Sequence, residues 1–403
     1  MKLNAGLHLA YCTNVHRGET WAETFDALNR YTLRVRDRIC PGRPYAIGLR
    51  LSNHAAHELN DRATLLEFQR WLGRNHCYVF TMNGFPYGQF HGDRVKEQAY
   101  EPDWISPERL EYTKRLFDLL AQLVPAGIEG SVSTLPCSFK GFYLHADELK
   151  LIRNNIWHCV EHIARLSKQT GRTLHLGLEP EPLCVLECSG ETIQFFERMR
   201  AEHPHDPRLA EHLGVNYDTC HFAVEFEEPQ NALACLLHYG IKISKIHLSS
   251  ALKVRPTVEA REALAAFDDE VYLHQVVVRR ADGQRFIYPD LRPALAGEPQ
   301  EPADALAGTS GSSGTADLQT PEWRIHFHIP LHHPPAPLFD NTADHILGAL
   351  DFLAASPGTC SHLEMETYTW EILPPELKDQ DVVDQLAAEY DWTLARLAER
   401  GLA

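Results

Sequence analysis

The chain has no CxxC pair, no block of lysine or arginine, and no apolar run near the roughly 18 residues needed to cross a bilayer. Each absence removes a class of protein. Ten cysteines lie at positions 12, 40, 77, 137, 159, 184, 188, 220, 235 and 360, and the closest pair is Cys184 and Cys188. That spacing suits neither a thiolate metal knuckle nor a disulfide framework, and it predicts reduced, mostly buried thiols in a cytoplasmic protein. Acidic residues outnumber basic ones by 55 to 38, for a net charge of −17. Binding a nucleic-acid backbone depends on positive charge, so DNA and RNA are not expected as general partners, although a local basic pocket for one phosphate is compatible. The first ten residues alternate without an apolar h-region and read as a first strand rather than a signal peptide. No membrane insertion is expected.

What the chain does have is a repeated alternation of short apolar strands and amphipathic helices. Strands are predicted over 5–11, 46–51, 77–82, 131–135, 174–178, 214–217, 243–248 and 362–367. Between them, Thr20 and Glu23 form a capping-box pattern ahead of Trp21, Phe25, Leu28 and Val35. Leu110, Leu116, Phe117, Leu120 and Leu123 share one helical face, and a long helix over 148–169 stops at Gly171. Ser189 and Thr342 are expected N-caps. Repeated βα units of this kind predict a parallel sheet closed into a (β/α)8 TIM barrel, one domain over 1–403.

One strand is surplus. Residues 324–329 also read as a strand, and the connection holding them, 253–331, is far longer than an ordinary βα loop. Residues 271–279 and 285–288, joined by Asp282-Gly283, predict a β-hairpin. Residues 296–320 are rich in Gly, Ser, Ala, Pro and Asp and predict a flexible stretch. We read 253–331 as an insertion after the seventh strand, with 324–329 its returning strand; the competing count makes 324–329 a barrel strand.

The strongest functional signal is where the later strands stop. They end on Glu179-Pro-Glu181, Asp218-Thr-Cys-His221, His247, His326-Phe-His328 and Glu364-Met-Glu366. In a barrel, the C-terminal strand ends converge on one face, so these residues become neighbours. Taken singly, each has a bland alternative: a solvated carboxylate for Glu179, a hydrogen-bonded core imidazole for His247. Glu364 and Glu366 point the same way from a strand, and inward carboxylates repel unless a cation compensates. A metal supplies that charge, with Glu366 the better ligand and Glu364 the runner-up. Three carboxylates and one imidazole suit Mn²⁺, Mg²⁺, Co²⁺ or Zn²⁺. His8, Asn14, His16, Asn53, His54, Asn83, Tyr368 and Trp370 are further polar or aromatic candidates for the barrel mouth. His326, His328, His332 and His333 offer a candidate second metal site, in which alternation lets at most two share a ligand sphere.

At these residues the chain resembles the epimerase branch of the xylose isomerase-like TIM-barrel superfamily. The shared pattern is a Leu-Glu-Pro strand, an Asp-Thr-x-His strand, a His-containing strand and a final Glu. The resemblance implies Glu179, Asp218, His247 and Glu366 as metal ligands and His221 and Arg255 as substrate contacts; His328, Asn83 and Trp370 are further expected substrate contacts from their places beside the barrel mouth. Where those epimerases carry a Glu soon after the histidine, this chain has Ser249-Ser250-Ala251. The opening 3–21 and the ending His-Leu-Glu-Met-Glu-Thr-Tyr-Thr-Trp (362–370) resemble the EboE family. That resemblance implies a metabolite traffic role beside other pathway proteins, in export of a secondary-metabolite precursor.

Three functions follow. The first is a metal-dependent isomerase or epimerase on a sugar-like or polyol substrate. Its metal would stabilise an enediolate while Glu179 and Glu366 move a proton, with His221 assisting. The second is metal-assisted hydrolysis of a small phosphoester, and the third a non-catalytic metabolite-binding protein.

Overall fold

The strand-ending pattern requires a closed sheet, and the structure, a computed structural model, has one. It describes all residues except 89–94, 143, 298–300, 303–320, 335, 375–377 and 379. Seven strands come first: β1 (His8–Tyr11), β2 (Tyr45–Arg50), β3 (Cys77–Asn83), β4 (Gly130–Thr134), β5 (Leu174–Leu178), β6 (Leu213–Asp218) and β7 (Lys242–Leu248). Six strands of a second sheet follow: β8 (Ala251–Val254), β9 (Val276–Arg279), β10 (Arg285–Tyr288), β11 (Glu301–Pro302), β12 (Glu322–His328) and β13 (Asp340–Asn341). Last is β14 (His362–Met365), the eighth barrel strand, seated between β7 and β1. The barrel runs β1-β14-β7-β6-β5-β4-β3-β2, with every pair parallel. The seam between β1 and β2 closes through a single parallel bridge, Cys12 to Gly48. A Cβ at Gly48 would stand 1.9 Å from Glu364 Oε1 and 2.7 Å from the Tyr11 carbonyl, so glycine lets this seam close around a buried carboxylate.

Helices sheath the barrel with their apolar faces inward, as a 3.6-residue period requires. The expected capping box forms: the Glu23 N–H donates to Thr20 Oγ1 and the Thr20 N–H to Glu23 Oε2. Helix Pro107–Leu123 buries Leu110, Leu116, Phe117, Leu120 and Leu123, and Ala146–Thr170 ends at Gly171 in the left-handed region. Two expected caps differ. Ser189 is the first residue of its helix, with Cys188 at the N-cap. Thr342 occupies its N-cap position, but its hydroxyl accepts from the Ala251 N–H, and Asn341 Oδ1 takes the Ala343 N–H instead.

The second sheet is antiparallel, in the order β11-β10-β9-β12-β8-β13, and continues from β7 across the barrel mouth. β9 and β10 are joined as a hairpin, with Gly283 at φ 83°. The first hairpin strand is shorter than expected because Asp269 Oδ1 takes the N–H groups of Val271 and Tyr272 before any ladder begins. β12 pairs with β8 and β9, outside the barrel. Most of the stretch 296–320 lies outside the described residues.

Helix Val382–Ala398 packs back on the barrel and carries Glu389, fully buried. Glu389 Oε1 accepts from the Thr367 hydroxyl at 2.7 Å and the Leu331 N–H at 3.1 Å, yet burial pushes its carboxyl up to about 7. A raised folded pKa contributes stability that is full below the unfolded value of about 4.5 and is lost as pH rises through 7. Wild-type stability relative to Glu389→Gln is therefore expected to fall by about 3 kcal/mol between pH 4.5 and 8. Denaturant melts of both proteins across that range test this; parallel pH profiles would refute it.

Candidate functional site

Barrel interiors are commonly filled by branched apolar side chains, but this one is polar in successive layers. At the N-terminal end, His362 Nδ1 lies 2.7 Å from Ser131 Oγ, and His175 Nδ1 2.6 Å from Ser244 Oγ. Above them, Lys245 Nζ donates to Glu364 Oε2 at 2.5 Å and to Ser133 Oγ at 2.9 Å. Lys245 and His247 are two apart on β7 and share a face, and the register sets Glu364 of β14 opposite His247. Burial works to raise the Glu364 carboxyl, but Lys245 and His247 outweigh it and hold the pKa at about 2.

The top layer lies at the strand ends. Glu179, Asp218, His247 and Glu366 each place one ligand atom within 4.8 Å of the others, all buried. His247 Nδ1 is 2.8 Å from Glu179 Oε1, 3.3 Å from Glu366 Oε2 and 3.5 Å from Asp218 Oδ2, while its Nε2 donates to Glu364 Oε2 at 2.8 Å. Glu364 of β14 and Glu366 just beyond its end thus serve different nitrogens of one ring. Burial opposes charge on that imidazole, but Glu366 and Glu179 more than offset it and raise its pKa well above the usual value. Asp218 caps the helix Thr219–Val224: its Oδ1 accepts from the Cys220 and His221 N–H groups and the Ser249 hydroxyl, at 2.7, 3.0 and 2.6 Å. Its Oδ2, like Glu179 Oε2, has no hydrogen-bond partner. Glu366 Oε1 accepts from Asn14 and Asn83 at 2.8 and 3.1 Å.

Four carboxylates, Glu179, Asp218, Glu364 and Glu366, crowd here around one ammonium and two imidazoles, Lys245, His247 and His221, so anionic groups outnumber cationic ones in a dry setting. Bare buried carboxylate oxygens cost free energy unless a cation or proton meets them. The donor set, three carboxylates and an imidazole, fits a hard or borderline divalent cation.

Of the remaining sequence candidates, His221 and His328 stand beside this cluster. The His221 Nδ1–H donates to the Pro180 carbonyl at 2.9 Å, and the His328 Nδ1–H to the Glu366 carbonyl at 3.0 Å. Asn83 is drawn in as a donor to Glu366. The structure does not bring Arg255 to the cluster: it is exposed past β8, where the chain turns into the second sheet. Trp370 faces a neighbouring outer cleft with His16 and Arg17, while Tyr368 lines the space over the cluster. That space is about 40 Å³ and is roofed by Phe85, Tyr100, Tyr272 and Leu273. Glu181 also faces it, accepts from the Tyr100 hydroxyl at 2.8 Å, and is pushed by burial to about 7.

Sequence reasoning missed Lys245 and Ser249 as members of the site. The signal for Lys245 was its two-residue spacing from His247. Ser249 stood out only as a departure from the epimerase pattern, and its hydroxyl reaches Asp218 across strands.

No protein-family model matches the chain, and no curated protein matches it. Among solved structures it is similar to an IOLI protein with a binding zinc atom, at 11% identity and TM-score 0.48, covering 98% of this chain and 99% of that one. It is likewise similar to an L-ribulose 3-epimerase, at 12% identity and TM-score 0.48, over 99% and 96% of the two chains. A xylose isomerase domain protein from Alicyclobacillus acidocaldarius aligns at 13% identity and TM-score 0.48, over 98% and 99%. The barrel itself rests on the strand order above. Among the described residues, no helix is long and apolar enough to cross a membrane.

Proposed function

We propose that Glu179, Asp218, His247 and Glu366 hold one divalent cation (Mn, Co, Zn or Mg) and that the barrel is an isomerase or epimerase of a small sugar-like or polyol substrate. The observation that carries the reading is the convergence of four ligand atoms within 4.8 Å around unbalanced negative charge. A bound divalent ion supplies Lewis acidity toward adjacent hydroxyl and carbonyl oxygens. The chain's own residues do the rest. Glu179 and Glu366 move a proton off and onto carbon as general base and acid. The His221 imidazole, its Nδ1–H fixed on Pro180, presents Nε2 as a substrate contact. Glu364 orients His247 through the ring's far nitrogen, the way a carboxylate beyond the ligands commonly sets a metal-binding histidine. The space over the cluster must widen to admit a sugar, because about 40 Å³ holds only a few waters.

The EboE-like termini suggest the setting: a pathway of secondary-metabolite biosynthesis or export, with other pathway proteins as partners. A second reading, hydrolysis of a small phosphoester, is favoured by one observation, the further triad Asp218, His221 and His328 beside the first cluster.

Elemental mass spectrometry of the purified chain is expected to find a divalent metal that Glu179→Ala/His247→Ala does not retain. A panel of ketoses then tests for epimerisation. A chain that binds no metal even after reconstitution would remove this mechanism.

A further inference from the structure

We propose that Cys220, His326 and His328 bind a second ion, of the zinc class, at the underside of the second sheet. His326 and His328 are two apart on β12 and share a face. The irregular pairing of β12 with β8 falls between Ile325 and His328, so the strand is bent where these rings point inward. Both rings have their tautomer fixed. The His326 Nδ1–H donates to Gln275 Oε1 at 2.7 Å, and Gln275 is itself oriented because its Nε2 donates to the Pro182 carbonyl at 3.3 Å. The His328 Nδ1–H donates to the Glu366 carbonyl. Each Nε2 therefore carries a lone pair, and each is buried with no hydrogen-bond partner. Imidazoles that ligate metals are held in this way, one nitrogen on an oxygen acceptor and the other bare.

The third side chain comes from a different element. Cys220, on the helix that follows β6, brings its sulfur within 4.8 Å of both histidine ligand atoms. Two imidazoles and a thiolate form a softer set than the oxygen-rich cluster, and they select zinc or cobalt over magnesium. Binding releases the thiol proton to solvent, forms the metal–sulfur bond, and changes no oxidation state. The two centres are close, because His328 also groups with Asp218 and His221.

Cobalt(II) reconstitution of the full chain tests the proposal. The expected result is a near-ultraviolet thiolate-to-cobalt charge-transfer band and about two cobalt ions per chain. In Cys220→Ser the band should vanish, and in His326→Gln/His328→Gln one ion per chain should be lost. Glu179→Gln/Glu366→Gln should lose the other ion and keep the band, which separates this site from the cluster assigned above. A wild-type protein without the band overturns the proposal, and so does a band that survives both Cys220→Ser and the double histidine variant. The wild-type spectrum decides even if a variant fails to fold.

Discussion

Lys245→Met is expected to destabilise the protein by about 3–5 kcal/mol, because it strands a carboxylate in the middle of the barrel. Lys245 and Glu364 are 1% and 0% exposed, and the charge of Lys245, 2.5 Å away, is the largest single influence holding Glu364 ionised there. With the ammonium gone, only His247 Nε2 meets that carboxylate. The damage should travel upward as well: Glu364 fixes the ring of His247, so metal affinity should fall by about 10–100-fold. Lys245→Met/Glu364→Gln removes the unpaired charge while leaving an amide oxygen for His247, and it should recover most of the lost stability. Urea unfolding of the three proteins measures this. A single variant as stable as wild type would show that the pair is not what holds Glu364.

Glu366→Gln should abolish turnover, by roughly 10²–10⁴-fold, and strip the ion as well. The reason lies in its neighbours. Asn14 and Asn83 both donate to Oε1, which obliges a glutamine to put its carbonyl oxygen there. Its NH₂ group then takes the place of Oε2, the atom 3.3 Å from His247 Nδ1, and presents hydrogens where a cation's ligand is needed. Elemental analysis and an epimerisation assay on the same preparation check both halves. A variant that keeps its metal and its rate would remove Glu366 from the site.

The barrel was legible because each strand closes a short apolar run with a polar terminus, a local pattern. The four converging residues were legible for the same reason. What escaped depends on pairing across strands. Glu364 and Glu366 invite a metal as their shared counter-charge, yet Glu364 is answered by Lys245, and the link is the register between β14 and β7. Ser249 reaches Asp218 by the same kind of long-range placement. Residues 324–329 satisfy the pattern of a barrel strand, and only the partners of β12 assign them to the second sheet. Arg255 was expected at the substrate from the family resemblance, but it lies exposed past β8, away from the cluster. Trp370 follows Glu366 by four residues and lies in the short 3₁₀ turn Tyr368–Ile372, where it faces the outer cleft while Tyr368 faces the cluster.

The roof over the cluster has a kinetic consequence. Tyr272 and Leu273 lie just ahead of β9, and Phe85 and Tyr100 line the same space of about 40 Å³. A space that small, which must widen for a sugar to enter, must widen again for it to leave. On the function proposed above, turnover is paced by release of product, and it should slow in proportion to solvent viscosity when sucrose is added, with no matching isotope effect on the transferred hydrogen.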